Sequence, residues 1–278
     1  MRKILSYILI INASLLTLVL NADEDVGFYL NSANNLLEKR EYDAAIRNLS
    51  KVLLITDNSG TKAKVNNAIG WSHYSAGDSQ SAIKYLKKSY DLALTAGANE
   101  TAIRAVNNLG LVEFSLGNYK ESKKYFETDL VLNTEISKEY LPLIEDQLIQ
   151  SSTNEYVSEG IVHRLNKEFD KALIEYDKAL ALTPDNATIL DYKGYALFRL
   201  GKYSESIDAL RKAYSINGAG LFISINLLKV YCGSGDFESA KKYMKDNPSI
   251  INDNDALLSD GELVDTCKGR VSFENEVI

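Results

Sequence analysis

The segment Glu168-Phe169-Asp170-Lys171-Ala172-Leu173 has a close echo 34 residues later, Lys202-Tyr203-Ser204-Glu205-Ser206-Ile207. A third copy, Asp236-Phe237-Glu238-Ser239-Ala240, follows after another 34. Upstream the phrase returns as Glu41-Tyr42-Asp43-Ala44-Ala45-Ile46, Asp78-Ser79-Gln80-Ser81-Ala82-Ile83 and Asn118-Tyr119-Lys120-Glu121-Ser122-Lys123. Self-similarity at such a period marks an array of supersecondary units, each too small to bury its apolar face alone. Only three prolines occur in 278 residues, which favours long helices. Gly77, Gly117, Gly201 and Gly235 stand just before the phrase, where a residue with φ > 0 ends one helix and lets the next begin.

Three slots recur in register. Before the turn a small residue stands at Ala33, Gly70, Gly110, Gly160 and Gly194; after it, at Ala45, Ala82, Ser122, Ala172, Ser206 and Ala240. Four positions further on comes a large one: Leu49, Leu86, Phe126, Tyr176, Leu210 and Met244. Two helices approach closely where one contributes almost no side chain, and the large residue fills the next groove. The pattern resembles the tetratricopeptide repeat. That resemblance implies an all-α, right-handed α-solenoid of about six helix hairpins. The second small slots are spaced 37, 40, 50, 34 and 34 residues apart. The first two intervals resemble the longer, kinesin-light-chain-like repeats, which also carry paired asparagines such as Asn66-Asn67 and Asn107-Asn108. The interval of 50 holds an insertion whose Leu141, Ile144 and Leu148 have helical spacing, with Pro142 expected in a first turn. The expected organisation is repeats one to three over 23–133, an inserted or lengthened helix at 134–152, repeats four to six over 153–248, and a cap and tail at 249–278. In repeat six Leu228 stands where a small residue belongs, so that hairpin is expected to be splayed.

Residues 1–22 carry a targeting pattern. Arg2 and Lys3 precede an apolar stretch over 4–20, then Asn21-Ala22 and the acidic Asp23-Glu24-Asp25. A charged head, an apolar segment and a small residue make a secretory signal. Leu20 sits where a small residue suits cleavage better, so an uncleaved N-terminal anchor stays open beside a cleaved leader. Either way the chain is expected to be exported, periplasmic or secreted, touching a membrane only through this segment. Two cysteines, Cys232 and Cys267, would then meet an oxidising compartment, where they are free to pair or to remain thiols.

The chemistry-bearing residues are few. Formal charge is −7, which repels phosphate backbones and argues against nucleic acid as a partner. His73 and His163 each fall three residues after a small-slot glycine and are expected to pack between helices. No zinc, nucleophile or phosphate-loop motif occurs, so neither enzyme activity nor a cofactor is expected. Asn48, Asn99 and Asn186 open Asn-x-Ser/Thr tripeptides, to which little weight attaches.

The resemblance places ligands against the first helices of such repeats, in a concave groove. Carried over slot by slot, the facing residues are Lys64, Asn67, Trp71 and Tyr74 in repeat two, and Arg104, Asn107, Leu111 and Phe114 in repeat three. Repeat five offers Asp191, Tyr195, Phe198 and Arg199, and repeat six Lys229. Asparagine amides offer donors and an acceptor to an extended peptide, and Trp71, Tyr74 and Phe114 would supply apolar pockets between them. The competing reading is that these asparagines bond neighbouring helices and the aromatics pack. Lys64 and Arg104 are too few for the carboxylate clamp of heat-shock-binding repeats. The expected partner is a protein or peptide segment.

Overall fold

A computed structural model describes residues 24–218, 220–248 and 254–271, and these are helical and strand-free. The leader or anchor expected at 1–22 and part of the expected tail lie outside the described residues. Among the described residues no helix is long and apolar enough to cross a membrane. The chain divides into two compact units, 1–148 and 149–278.

The first unit stacks three hairpins: α1 (Glu24–Glu38) with α2 (Tyr42–Ile55), α3 (Ser59–Ser75) with α4 (Ser79–Thr95), and α5 (Asn99–Ser115) with α6 (Tyr119–Phe126). Helix α7 (Glu135–Leu165) begins in this unit, and the boundary between units falls within it. In the second unit the C-terminal part of α7 pairs with α8 (Phe169–Leu182). Then come α9 (Ala187–Arg199) with α10 (Tyr203–Asn217), α11 (Leu221–Gly233) with α12 (Phe237–Asp246), and the short α13 (Asn254–Ser259) and α14 (Gly261–Cys267).

The small slots work as sterics requires. A Cβ on Gly70 would lie 2.7 Å from Leu86, on Gly110 2.6 Å from Phe126, on Gly160 2.4 Å from Tyr176 and on Gly194 2.5 Å from Leu210. Each of those side chains is fully buried. Where the second small slot is serine, its hydroxyl donates to the carbonyl of the facing glycine: Ser122 to Gly110 at 2.8 Å and Ser206 to Gly194 at 2.6 Å. A buried hydroxyl is thereby satisfied without added bulk.

Each turn uses one backbone device. The N–H after the positive-φ residue bonds back to a first-helix carbonyl, as Asp78 does to His73 at 2.8 Å and Asp236 to Tyr231 at 2.8 Å. Repeats one and four lack the turn glycine, and Arg40 (φ 60°) and Lys167 (φ 62°) adopt the left-handed conformation in its place. In three turns the side chains at the two ends of that bond also meet. His163 Nδ1 lies 2.7 Å from Glu168 Oε2, Asn118 donates to Glu113 at 2.8 Å, and His73 Nδ1 is 3.3 Å from Asp78. The histidines therefore close turns. Glu168 is held below the usual carboxylate range by its bond from Lys171 and then by His163.

The structure takes the lengthened form of the two expected for the insertion, shows the looser sixth hairpin expected at Leu228, and corrects the place of Pro142. The insertion is a lengthening: 134–152 and the first helix of repeat four form the single 31-residue α7. Pro142 lies inside that helix and not in its first turn. The cause is upstream, where Thr134 Oγ1 accepts from the Ser137 N–H and Ser137 Oγ donates to the Val131 and Leu132 carbonyls, starting the helix at Glu135. Leu228 is fully buried, and α11 and α12 meet over less of their length than α9 and α10 do, the looser sixth hairpin that a large residue in the small slot imposes.

Candidate functional site: first-helix faces and a cavity in the second unit

In the first unit the candidate residues sit close together on α3 and α5. Asn67 Oδ1 accepts from Asn108 Nδ2 at 3.1 Å, so its acceptor is used between neighbouring first helices. Asn107 is buried, and its side-chain oxygen, shielded from solvent, has no hydrogen-bond partner. Trp71 keeps only 6% of its surface and packs against Tyr74, ring centroids 5.1 Å apart. Phe114 packs edge-on against Tyr119 and Tyr140. Arg104 pairs with Glu100 one turn earlier at 2.5 Å. Burial pulls the Lys64 ammonium below its usual range, with Arg104 acting the same way and Glu100 against it. Much of this face is thus committed to packing and internal bonds, leaving Lys64 and half-buried Tyr74 and Phe114 accessible.

The second unit holds a cavity of about 470 Å³ lined by residues of three successive first helices: Arg164 of α7, Asp191, Tyr192 and Tyr195 of α9, and Asn226 and Lys229 of α11. Its apolar wall is Leu221, Phe222, Ile223 and Ile225. Phe222 stands 75% exposed at the rim, unusual for so large an apolar ring.

The polar lining is specific. Asn226 Nδ2 donates to Asp191 Oδ1 at 2.8 Å, repeating the Asn108–Asn67 bond in the equivalent slots of another repeat pair. Asp191 is 7% exposed, and burial raises its carboxyl above the usual range, against the pull of the Asn226 bond, Arg164 and Lys229. Lys229, 5% exposed, is neutralised twice, by Asp260 at 2.9 Å and Glu262 at 3.0 Å. Arg164 differs. Its guanidinium lies over the Tyr192 and Tyr195 rings at 5.7 and 5.9 Å, and its Nε, shielded from solvent, has no hydrogen-bond partner. A cationic donor beside an apolar wall is a site for a carboxylate or carbonyl attached to an apolar group.

Of the sequence candidates, Asp191, Tyr195 and Lys229 meet at this cavity. Arg199 lies beside it, donating to Tyr195 Oη at 3.0 Å and pairing with Glu262 at 3.2 Å. Arg164 was missed, although the register held the signal: it stands four residues after Gly160, as Tyr74, Phe114 and Phe198 stand after their own small-slot glycines. The cysteines are joined, Cys232 of α11 to Cys267 of α14, with 4.9 Å between Cα atoms.

The raised Asp191 carboxyl has a measurable consequence. A carboxyl that binds its proton more tightly when folded contributes most to stability below its ordinary value of 3.8, and that contribution is lost as pH rises through the folded value. Asp191→Asn keeps an acceptor for Asn226 and removes the titration. Urea midpoints taken between about pH 3.5 and 7 should move in favour of the variant as pH rises. Parallel profiles for the two proteins would remove the buried-anion reading.

Comparisons with known proteins agree with this repeat architecture. Two models described as tetratricopeptide repeat match, one over residues 159–220 and the other over 63–95 and 103–128. No curated protein matches the chain by sequence. Among solved structures it is similar to the "TPR2AB-domain:pHSP90-complex of yeast Sti1", at 16% identity and a TM-score of 0.46, covering 87% of this chain and 97% of that one. It is also similar to MamA from Desulfovibrio magneticus (18%, 0.33, covering 69% and 96%). A tetratricopeptide repeat protein from Parabacteroides merdae is a third (13%, 0.34, covering 89% and 100%).

Proposed function

We propose, from the premise that this chain carries tetratricopeptide repeats in both compact units and is therefore a protein–protein interaction scaffold, that it captures a peptide segment of a partner protein on its first-helix faces. Proteins of this kind are generally non-enzymatic scaffolds. The principal seat is the cavity of the second unit. The carrying observation is Arg164, which forms no salt bridge among the described residues and whose Nε is buried without a hydrogen-bond partner, its guanidinium facing the Tyr176 hydroxyl and the Asp191 carboxyl beside the apolar wall from Leu221 to Ile225. An acidic side chain or terminal carboxylate would pair with it while a neighbouring aliphatic or aromatic side chain covers Phe222. The first-unit face, through Lys64, Asn67, Trp71, Tyr74, Arg104, Asn107 and Phe114, is the second candidate surface, with fewer free groups.

The encounter is proposed to take place outside the cytoplasm. The charged and apolar start of the chain supports this, as does the joined cysteine pair, since disulfides persist in oxidising compartments. A membrane-held assembly factor is the other reading, and N-terminal sequencing of the mature protein separates the two.

The test is selection of displayed random peptides on the full chain. Enriched sequences should carry a carboxylate next to a large apolar residue, and Arg164→Ala should no longer retain them. Enrichment without acidic residues, or equal retention by the variant, overturns the assignment.

A further inference from the structure

Helix α14 covers groups that would otherwise face a partner. Glu262 pairs with Lys229 of α11 at 3.0 Å and with Arg199 of α9 at 3.2 Å, and its Oε2 accepts from Tyr195 Oη at 3.0 Å. Asp260 adds a bond to Lys229 at 2.9 Å while capping α14 through the Leu263 N–H at 2.9 Å. Leu263 follows fully buried, and Cys267 closes the segment by its disulfide to Cys232. The short helix therefore touches two successive first helices through the face-directed slots of repeats five and six. A helix that only sealed an apolar end would need no carboxylate there. Instead one carboxylate meets three donors, a lysine, an arginine and a tyrosine hydroxyl, which is how a charged ligand is held.

We infer that Tyr195, Arg199 and Lys229 form a docking surface for a segment bearing two carboxylates followed by an apolar residue, and that residues 260–267 are its built-in occupant. The pattern Asp260-x-Glu262-Leu263 states the chemistry of the competing partner. The tether makes the internal copy hard to displace, because a covalently held segment competes at an effective concentration in the millimolar range. Access by an external acidic segment thus depends on Cys232–Cys267 and on the charge at Glu262. This rests on and deepens the peptide-capture reading, because Tyr195 and Lys229 also line the Arg164 cavity and Arg199 extends it. It is tested with this chain's own sequence as probe, so failure of the library selection leaves it standing.

The experiment uses the full chain carrying Cys232→Ser, Cys267→Ser and Glu262→Lys, in which the internal segment is untethered and repelled by Lys229 and Arg199. The probe is a fluorescein-labelled synthetic peptide of residues 257–271 with Cys267→Ser, read by anisotropy beside a copy in which Glu262 is also changed to lysine. The variant should bind the glutamate peptide at least tenfold more tightly than the lysine peptide, and the oxidised wild-type chain should bind neither. Adding Lys229→Glu, which restores an attractive pair with the internal segment, should abolish binding of the glutamate peptide. Circular dichroism checks the fold, and the milder Glu262→Gln replaces Glu262→Lys if helicity falls. A helical variant that binds both peptides equally, or neither, overturns the inference.

Discussion

Gly194→Leu is expected to lower the stability of the second unit by roughly 1–3 kcal/mol or more, the range for forcing bulk into a packed core. The site leaves little room to relax. A single added carbon would already sit 2.5 Å from Leu210 Cγ, and Leu210 is fully buried in the core formed by α9 to α12. The Ser206 hydroxyl bonds the Gly194 carbonyl at 2.6 Å, so separating α9 from α10 also breaks a buried hydrogen bond. Gly261→Ala is the matched control: a carbon added there meets nothing within 4 Å and it lies in the first turn of a helix, so the change should be near neutral. Because the chain has two compact units, hydrogen exchange of peptides from α9 and α10 reads the effect more directly than a global melt. Unchanged protection in Gly194→Leu would undo the repeat register on which the slot assignments rest.

Replacing both cysteines by serine is expected to cost about 3–4 kcal/mol, the chain-entropy value for closing a loop of this length. The bridge spans a sequence separation of 35 and ties α14 to α11 across the end of the second unit's core. Both cysteines are buried, so the serines would also bring hydroxyls into a setting that gave the disulfide no hydrogen bonds to make. Without the bridge, residues 257–271 are held by Leu257, Leu263 and Val271 and by the carboxylates on Lys229. The expected signature is a lower denaturation midpoint with exchange protection lost first in α14. A midpoint within error of wild type would mean the bridge adds little beyond these contacts.

The repeat grammar was readable from sequence because it is steric. Gly70, Gly110, Gly160 and Gly194 each face the large residue that the spacing pairs with them. The limits of α7 were harder to read: Thr134 Oγ1 accepts from the Ser137 N–H and Ser137 Oγ donates to a carbonyl of the preceding turn, a local arrangement outside the repeat pattern. At the candidate site, register brought out Asp191, Tyr195 and Lys229 but not what they face. Lys229 looked like a free groove lysine, yet it meets Asp260 and Glu262, some thirty residues away in a segment with no repeat period. Asn67 looked available to a peptide, and its acceptor proves to be used by Asn108. Such pairings arise from how helices stack, which spacing along one helix does not encode.

The most direct test of the Arg164 cavity is the affinity of one library-selected acidic peptide for wild-type protein and for Arg164→Ala, measured by calorimetry at two salt concentrations. Loss of a charge-assisted pair at a shielded site should weaken binding by at least tenfold, and the difference should shrink as salt rises. Equal affinity for the two proteins, with the variant as helical as wild type, would contradict the assignment of the cavity as the peptide seat.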